Sequence, residues 1–342
     1  MSFRHRNPTE PLVSILMPTF QAVATLAASV RSIERQSWRH WECILVEDGS
    51  TDGSLEYARE VQKRDARFTV VPTPHRGLVA ALNSGLEHCQ GEYVARMDAD
   101  DLMHRHRLKE QVSILETQSA LSAVGCHVRM FPRGTLGAGY RAYETWLNSI
   151  GTAEQVAREA FIECPVAHPT LMLRRSRLTA LGYRDLGWPE DYDLVLRLIT
   201  GGEKIGIVPR RRLLWRHGPR RLSRTAPEYA TERFTACKAS FLAESFLART
   251  ESYILWGYGG TGRALRRALE PLGRLPSHIL ELHPGRLGNR IHGAPVVSPS
   301  ELPRLPRQPV VVSVAGVGPR SEIRQRMTGM GFTESRDYVC AA

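Results

Sequence analysis

No CxxC pair occurs among the six cysteines, Cys43, Cys89, Cys126, Cys164, Cys237 and Cys340, and none stands at zinc-ligand spacing from a histidine. A disulfide framework and a structural zinc site are therefore not expected, and a reducing cytoplasm is the compartment that fits. Apolar runs of membrane-spanning length are also missing, and the stretch that follows Met1–Pro8 is too brief for a signal peptide. Membrane contact is expected only at the periphery, at the inner face. Lysine is scarce, so the net charge of +11 rests overwhelmingly on arginine. The densest basic run, Arg210, Arg211, Arg212, Arg216, Arg220, Arg221 and Arg224, contains no acid. It has no stacking aromatic besides Trp215 and matches no recognition module, so nucleic acid is not an expected partner. A solvated face, an anionic lipid surface or a diphosphate suits such a run.

The chain has 342 residues and 42% hydrophobic content, enough for two soluble domains. Between residues 12 and 124, apolar runs at 13–17, 42–47, 68–71 and 92–97 alternate with amphipathic segments at 22–37, 53–64, 77–89 and 104–117. The alternation predicts βαβ units: an α/β fold with a mostly parallel sheet flanked by helices. Ligands in such sheets bind beyond the carboxyl ends of the strands, where Pro18-Thr19, Glu47-Asp48 and Asp98-Ala99-Asp100 fall. The stretch 125–190 is irregular and richer in Gly, Pro and aromatics, a composition suited to shaping a cleft. A helix is expected from Glu190, with acids in its first turn, then short strands at 204–208 and 212–216. An amphipathic segment at 227–249 links this region to a second, smaller α/β block at 250–342.

Residues 92–101 read Glu-Tyr-Val-Ala-Arg-Met-Asp-Ala-Asp-Asp. In extended chain, residues i and i+2 point the same way, so Asp98 and Asp100 aim at one point beyond the strand end. Two converging anions repel unless a cation lies between them, and carboxylate oxygens are hard ligands suited to Mn²⁺ or Mg²⁺. An acidic loop tip that caps the next helix accounts for the same residues, since Asp is frequent in turns and before helices. Asp101 in particular reads as the N-cap of the 104–117 helix.

Four motifs in fixed order, Val13-Ser14-Ile15-Leu16-Met17-Pro18-Thr19-Phe20, Val46-Glu47-Asp48-Gly49-Ser50-Thr51-Asp52-Gly53-Ser54, Asp98-Ala99-Asp100 and Glu190-Asp191-Tyr192-Asp193, resemble family-2 glycosyltransferases over roughly residues 12–225. The resemblance implies a GT-A nucleotide-diphospho-sugar transferase fold at 10–226. It also implies a nucleotide-sugar donor, UDP-linked by default, a divalent metal and inversion at the anomeric carbon. The acceptor is a hydroxyl of a glycan, a lipid-linked species or a small molecule, as in surface glycan or glycoconjugate synthesis. By position, Asp100 matches the direct metal ligand, Asp98 the ribose and metal environment, and Asp191 the base that takes the acceptor proton. Pro18, Thr19, Phe20 and Asp48 match the nucleotide subsite, with Glu47 beside them where many relatives carry Asp. Arg76 and Asn83 are secondary candidates in a segment where Leu82 replaces a frequent Arg. His217 matches a late region that closes over the diphosphate and is a candidate third metal ligand, while His168 lines the sugar or acceptor pocket or simply forms a turn. Asp52 reads as a turn or helix-start residue.

In the second block, Gly257-x-Gly259-x-x-Gly262 follows an apolar strand and fits a dinucleotide fingerprint, with Glu281 at a second strand end. This looks like a Rossmann-like appendage, for which a structural or oligomerising role, including a homo-oligomer, stands beside ligand binding. Two other readings of the whole chain stay open at this point. One is a non-catalytic nucleotide-sugar or dinucleotide-binding regulator. The other is a sugar-phosphate nucleotidyltransferase, which calls for a Gly-rich, Arg-containing loop where this chain has Met17-Pro18-Thr19-Phe20.

Overall fold

The computed structural model describes residues 10–218 and 221–342. Arg220 of the basic run, and the N-terminal stretch before Glu10, lie outside the described residues. The chain divides into two compact units that interleave along the sequence. The first comprises residues up to 156, then 166–186 and 202–218 with Arg221; the second comprises 157–165, 187–201 and 222–342.

The first unit opens with the expected alternation: β1 (Val13–Thr19), α1 (Val23–Glu34), β2 (Trp41–Glu47), α2 (Ser54–Arg64), β3 (Phe68–Pro72), α3 (Leu78–His88) and β4 (Tyr93–Arg96). Then come β5 (Leu102–Met103), α4 (Arg107–Thr117), β6 (Leu121–Phe131), α5 (Ala138–Leu147), α6 (Ala153–Glu159), β7 (Met172–Arg174), α7 (Arg175–Leu181) and, after α8 (Glu190–Thr200) of the second unit, β8 (Lys204–Arg216). The eight strands form one sheet in the order β3-β2-β1-β4-β7-β6-β8-β5. Strands β1 to β4 are mutually parallel, whereas β7 runs antiparallel to both β4 and β6. The three strand-end motifs, Pro18-Thr19, Glu47-Asp48 and Asp98-Ala99-Asp100, therefore open on one edge.

Residues 204–216 form a single strand, not the two short ones expected. Val208 pairs with Cys126 and Arg211 with His127, so Pro209 and Arg210 are accommodated as an irregularity rather than a break. Proline lacks the N–H that would continue the ladder, which is why the register slips there.

The alternation works because one face of each helix is apolar. Leu26, Val30 and Ile33 of α1 lie on one stripe and are fully buried with Val13, Ile15 and Met17 of β1. Helix α3 comes close to the sheet at Gly85, where a Cβ would sit 2.4 Å from side-chain atoms of Leu16 and Val46. Beneath the end of β4 lies a buried polar knot. The Arg107 guanidinium donates to the Arg96 carbonyl and to Gln111 Oε1, both at 2.9 Å, while Gln111 Nε2 donates to the carbonyls of Val124 and Thr170. The knot satisfies carbonyls of three segments at once and fixes the strand end from which the acidic cluster projects.

The second unit contains α8, α9 (Leu222–Thr225), α10 (Thr231–Glu244), β9 (Ser252–Trp256), α11 (Gly260–Leu269), β10 (Leu275–Leu280), β11 (Arg290–Ile291), β12 (Ala294–Val297), β13 (Val310–Val312), α12 (Val317–Gly329) and β14 (Tyr338–Cys340). Its sheet has the order β11-β12-β10-β9-β13-β14, parallel except for the β11–β12 pair. Ile254, Trp256, Val310, Val312 and Met327 fill its core. The turn from β9 to α11 explains its glycines. Gly257 has φ +94°, and a Cβ on Gly262 would lie 2.2 Å from the Gly257 carbonyl oxygen and 2.6 Å from Ser313 Oγ. A Cβ on Gly259 would meet nothing within 4 Å. Gly262→Ala is therefore expected to destabilise the protein by about 1–3 kcal/mol in urea unfolding, with Gly259→Ala close to wild type. Equal effects from the two would refute this reading of the turn.

All six cysteines are buried thiols outside any disulfide, as their scatter suggested. Among the described residues no helix is long and apolar enough to cross a membrane.

Candidate active site

The Asp98–Asp101 turn is built by α1 as much as by β4. Thr25 Oγ1 donates to the Ala99 carbonyl at 3.1 Å, and the fully buried Ser29 donates to the carbonyls of Asp98 and Asp101. With the main-chain oxygens held from behind, the carboxylates face forward. Asp98, Asp100 and Asp101 each offer an oxygen within 4.8 Å of the other two.

Asp101 is thus not the N-cap of the following helix. That helix begins at Arg107 with His106 at its cap, while Asp101 is fully buried and its Oδ1 accepts the Arg216 main-chain N–H at 2.6 Å. Its Oδ2 is buried and has no hydrogen-bond partner among the described residues. The intervening turn and strand β5 push the helix start further along than sequence pattern indicates.

The electrostatics of the three carboxylates diverge. Burial opposes ionisation of Asp98, but Arg96 at 2.6 Å, Arg221 at 3.9 Å and His168 more than offset it and hold the carboxyl below its ordinary range. Burial first, and then the neighbouring Asp98 charge, push Asp100 up to about 6. Asp101 is pushed well above the usual carboxylate range by burial and by Asp98 and Asp100. Asp98 is thus held ionised, while Asp100 and Asp101 resist ionisation because burial and the neighbouring Asp98 charge oppose it.

The basic run supplies much of the countercharge, which its sequence did not reveal. Arg216 Nε donates to the Asp100 carbonyl at 2.6 Å, and Arg221 donates to the Arg216 carbonyl at 2.7 Å. Their guanidinium groups stack over Phe131 and Trp215. Arg212 instead forms a two-pronged pair with Glu110, at 2.8 and 2.6 Å, with Arg210 at its edge. The run is therefore divided between an acidic site and an acidic helix face rather than presenting one continuous surface.

At the ends of β1 and β2 a second polar constellation forms. Asp48 is almost fully buried and accepts from Thr73 Oγ1 at 3.0 Å, His75 Nδ1 at 2.9 Å, Arg76 N at 3.1 Å and Gly77 N at 2.9 Å. Phe20 is exposed and stacks on the His75 ring, with centroids 4.0 Å apart and planes 15° from parallel. Pro18 is partly buried and Thr19 fully so, its main-chain carbonyl accepting from Asp48 N at 2.9 Å. Glu47 is also buried, and its two oxygens accept the N–H groups of Gly49 and Ser50, which shapes the loop after β2. Asp52 accepts from Ser54 and, through Oδ2, from Val23 N at the start of α1. It is a turn and helix-start residue, as its position predicts.

The model for the family described as glycosyl transferase family 2 matches residues 14–181, the stretch that contains both constellations. A putative glycosyltransferase of Bacillus subtilis, EpsE, is 35% identical over 199 residues, which cover 56% of this chain and 68% of that one. The chain belongs to glycosyltransferase family 2. The putative teichuronic acid biosynthesis glycosyltransferase TuaG of the same organism is 37% identical over 118 residues, 34% of this chain and 47% of TuaG. Among solved structures, Staphylococcus aureus TarS residues 1–349 with UDP superposes with a TM-score of 0.55 at 14% identity, covering 75% of this chain and 70% of that one. The mannosyltransferase PcManGT of Pyrobaculum calidifontis, with GDP-Man and Mn²⁺, gives 0.50 at 21% identity over 78% and 74%. At these identities the superpositions establish the GT-A fold.

Within this glycosyltransferase the other expected residues are placed unevenly. Asp191 lies in the second unit, half-buried in the first turn of α8, where its Oδ1 accepts the Tyr192 N–H at 2.7 Å. Its neighbours are structural: Glu190 is buried against the Tyr229 hydroxyl, and Asp193 is buried in bonds to Trp188 and Arg197. Asn83 bonds the Tyr183 main chain through both ends of its amide, at 2.9 Å each, and so positions Tyr183. Tyr183 in turn meets the buried His168 at 3.2 Å. The Arg76 side chain is exposed, and only its main-chain N–H reaches Asp48. His217 packs its ring 4.1 Å from that of Tyr140, and it is Asp101, not His217, that completes the convergent acidic group. Glu281, just beyond β10, pairs with Arg286 at 2.8 Å.

Arg96, Asp101, Arg216, Arg221 and His75 escaped sequence reasoning as site residues. For Arg96 a signal was available: it stands two residues before Asp98 on the same strand face. The arginines of β8 reach the cluster through strand pairing that no local motif encodes.

Proposed function

We propose that the chain is a metal-dependent inverting transferase that moves a sugar from a nucleotide-diphospho-sugar, UDP-linked, to an acceptor hydroxyl. The observation that carries this reading is the convergence of Asp98, Asp100 and Asp101, including one buried oxygen without a hydrogen-bond partner among the described residues, at a strand end of a family-2 chain. Such hard oxygen donors fit Mn²⁺ or Mg²⁺, held by Asp100 and Asp101 with Asp98 shared between the cation and Arg96. When bound, the cation neutralises charge that gathers on the departing diphosphate. Arg216 and Arg221, anchored by aromatic faces, hold positive charge at the same end of the sheet, where it opposes that build-up. Phe20 and Asp48 orient the nucleotide by stacking and by accepting an N–H of the base.

Asp191 is proposed as the base that accepts the proton of the acceptor hydroxyl, on the strength of its motif and of the structural employment of Glu190 and Asp193. For function, 10–226 is taken as the catalytic domain, 227–249 as a link and 250–342 as a Rossmann-like domain in which Gly257 and Gly262 serve the close turn of helix on strand. UDP is favoured over GDP because TarS binds UDP and UDP-GlcNAc, although PcManGT takes GDP-Man with Mn²⁺. The TuaG likeness supports a role in surface glycan synthesis.

The test is a screen of UDP- and GDP-sugars with Mn²⁺, Mg²⁺ or chelator, reading thermal stabilisation and donor hydrolysis. At least one donor is expected to stabilise the protein and to be hydrolysed only with metal. A chain that binds no donor under any of these conditions would sink the proposal.

A further inference from the structure

The two contacts assigned above to the nucleobase are both made by a side chain of the protein itself. His75 lies flat on Phe20 and bonds Asp48, so one imidazole takes up a stacking face and a carboxylate oxygen together. We infer that His75 is a built-in competitor for the nucleobase and sets how tightly the donor is held; this rests on the proposed nucleotide-sugar reading.

Asp48 is the reason the competition is direct. A carboxylate offers about four acceptor positions. Oδ1 takes Thr73 Oγ1 and Arg76 N, while Oδ2 takes His75 Nδ1 and Gly77 N, so the group is filled by the protein. A base N–H reaches Asp48 only when one of these donors leaves. Arg76 N and Gly77 N are main-chain groups at the entry to α3, where Gly77 N-caps the helix with φ +85°. Thr73 Oγ1 is tethered beside the β2 end, with a longer 3.4 Å approach to the Glu47 carbonyl. The His75 side chain is 53% exposed, so it can rotate into solvent without opening a cavity. Its main chain stays in place: the His75 nitrogen lies only 2.8 Å from where a Cβ on Gly49 would be, and Gly49 has φ +77°. A fixed backbone with an exposed ring is the arrangement of a side chain that swings. When the imidazole leaves, it frees the Oδ2 position and the covered face of Phe20 in one motion. The base must outbid the ring, a cost that falls equally on every nucleotide whose base enters and not at all on a ligand without a base.

The experiment measures UDP, GDP and inorganic pyrophosphate binding, each with Mn²⁺, by titration calorimetry on wild type, His75→Ala and Phe20→Ala. His75→Ala is expected to bind UDP about five- to tenfold tighter than wild type, because a stack and a hydrogen bond no longer have to be displaced. Pyrophosphate, which has no base, is expected to bind both proteins equally. Phe20→Ala is expected to bind UDP more weakly than His75→Ala. UDP affinity unchanged or lowered in His75→Ala, with wild type binding UDP, overturns the inference, since His75 would then be a bystander or a wall of the subsite. An equal gain for pyrophosphate also overturns it. Absence of UDP binding to wild type, with or without Mn²⁺, would strike the functional proposal instead.

Discussion

Asp100→Asn is expected to cost about 10³-fold or more in donor turnover while raising the thermal stability of the metal-free protein. The loss follows from charge: asparagine keeps the shape and one oxygen but cannot contribute an anion to the cation site. The gain follows from the sign of the perturbation at Asp100. Burial and the Asp98 charge raise its folded pKa to about 6, above the ordinary carboxylate value. A carboxyl whose folded pKa is raised binds its proton more tightly in the native state, so stability falls as pH rises from near 4 through 6 and the full penalty persists above 6. At pH 7.5 the neutral amide escapes that penalty. Melting curves in chelator, paired with initial rates in Mn²⁺, read both effects. A variant that is inactive and also less stable than wild type would mean that Asp100 is a structural residue of the turn.

Asp191→Asn is expected to lower transfer by about 10²–10⁴-fold while leaving the dissociation constant for UDP with Mn²⁺ within about twofold of wild type. The amide occupies the same volume in the first turn of α8 and can still accept the Tyr192 N–H, so folding should be preserved. What it lacks is the capacity to take a proton from an acceptor hydroxyl. The split between binding and rate separates this role from a helix-terminal one, where loss of an acid near the positive end of the dipole costs only a modest amount of stability. Unchanged turnover in the variant would transfer the base assignment to another carboxylate.

The parallel half of the catalytic sheet was legible because each strand is followed by a helix with one apolar stripe, as Leu26, Val30 and Ile33 show on α1. The turn acids were legible for a similar reason: Asp52 and the Asp98–Asp100 pair follow local rules of turns and strand alternation. What sequence could not supply is the partner across space. Asp101 looked like a helix cap because Asp precedes helices often, and nothing local revealed that Arg216, more than a hundred residues later, donates to it. The basic run looked like one surface because residues adjacent in sequence were read together. Strand β8 lays Arg212 beside Glu110 and Arg216 beside the Asp98–Asp101 turn. Asn83 was singled out from its motif neighbourhood, and no local signal announced that its amide bonds the Tyr183 main chain a hundred residues on. Asp48 and Phe20 were correctly placed at one strand edge, but their shared occupant, His75, lies beyond the motif that pointed to them.

The most direct test of the central claim, that the acidic cluster is the donor-metal site, is a count of bound Mn²⁺ by the electron paramagnetic resonance of the free ion, in the presence of UDP. One ion per chain is expected in wild type, and none with comparable affinity in Asp100→Asn. Retention of a full equivalent of Mn²⁺ by that variant, or wild-type turnover that persists undiminished in chelator, would contradict the account.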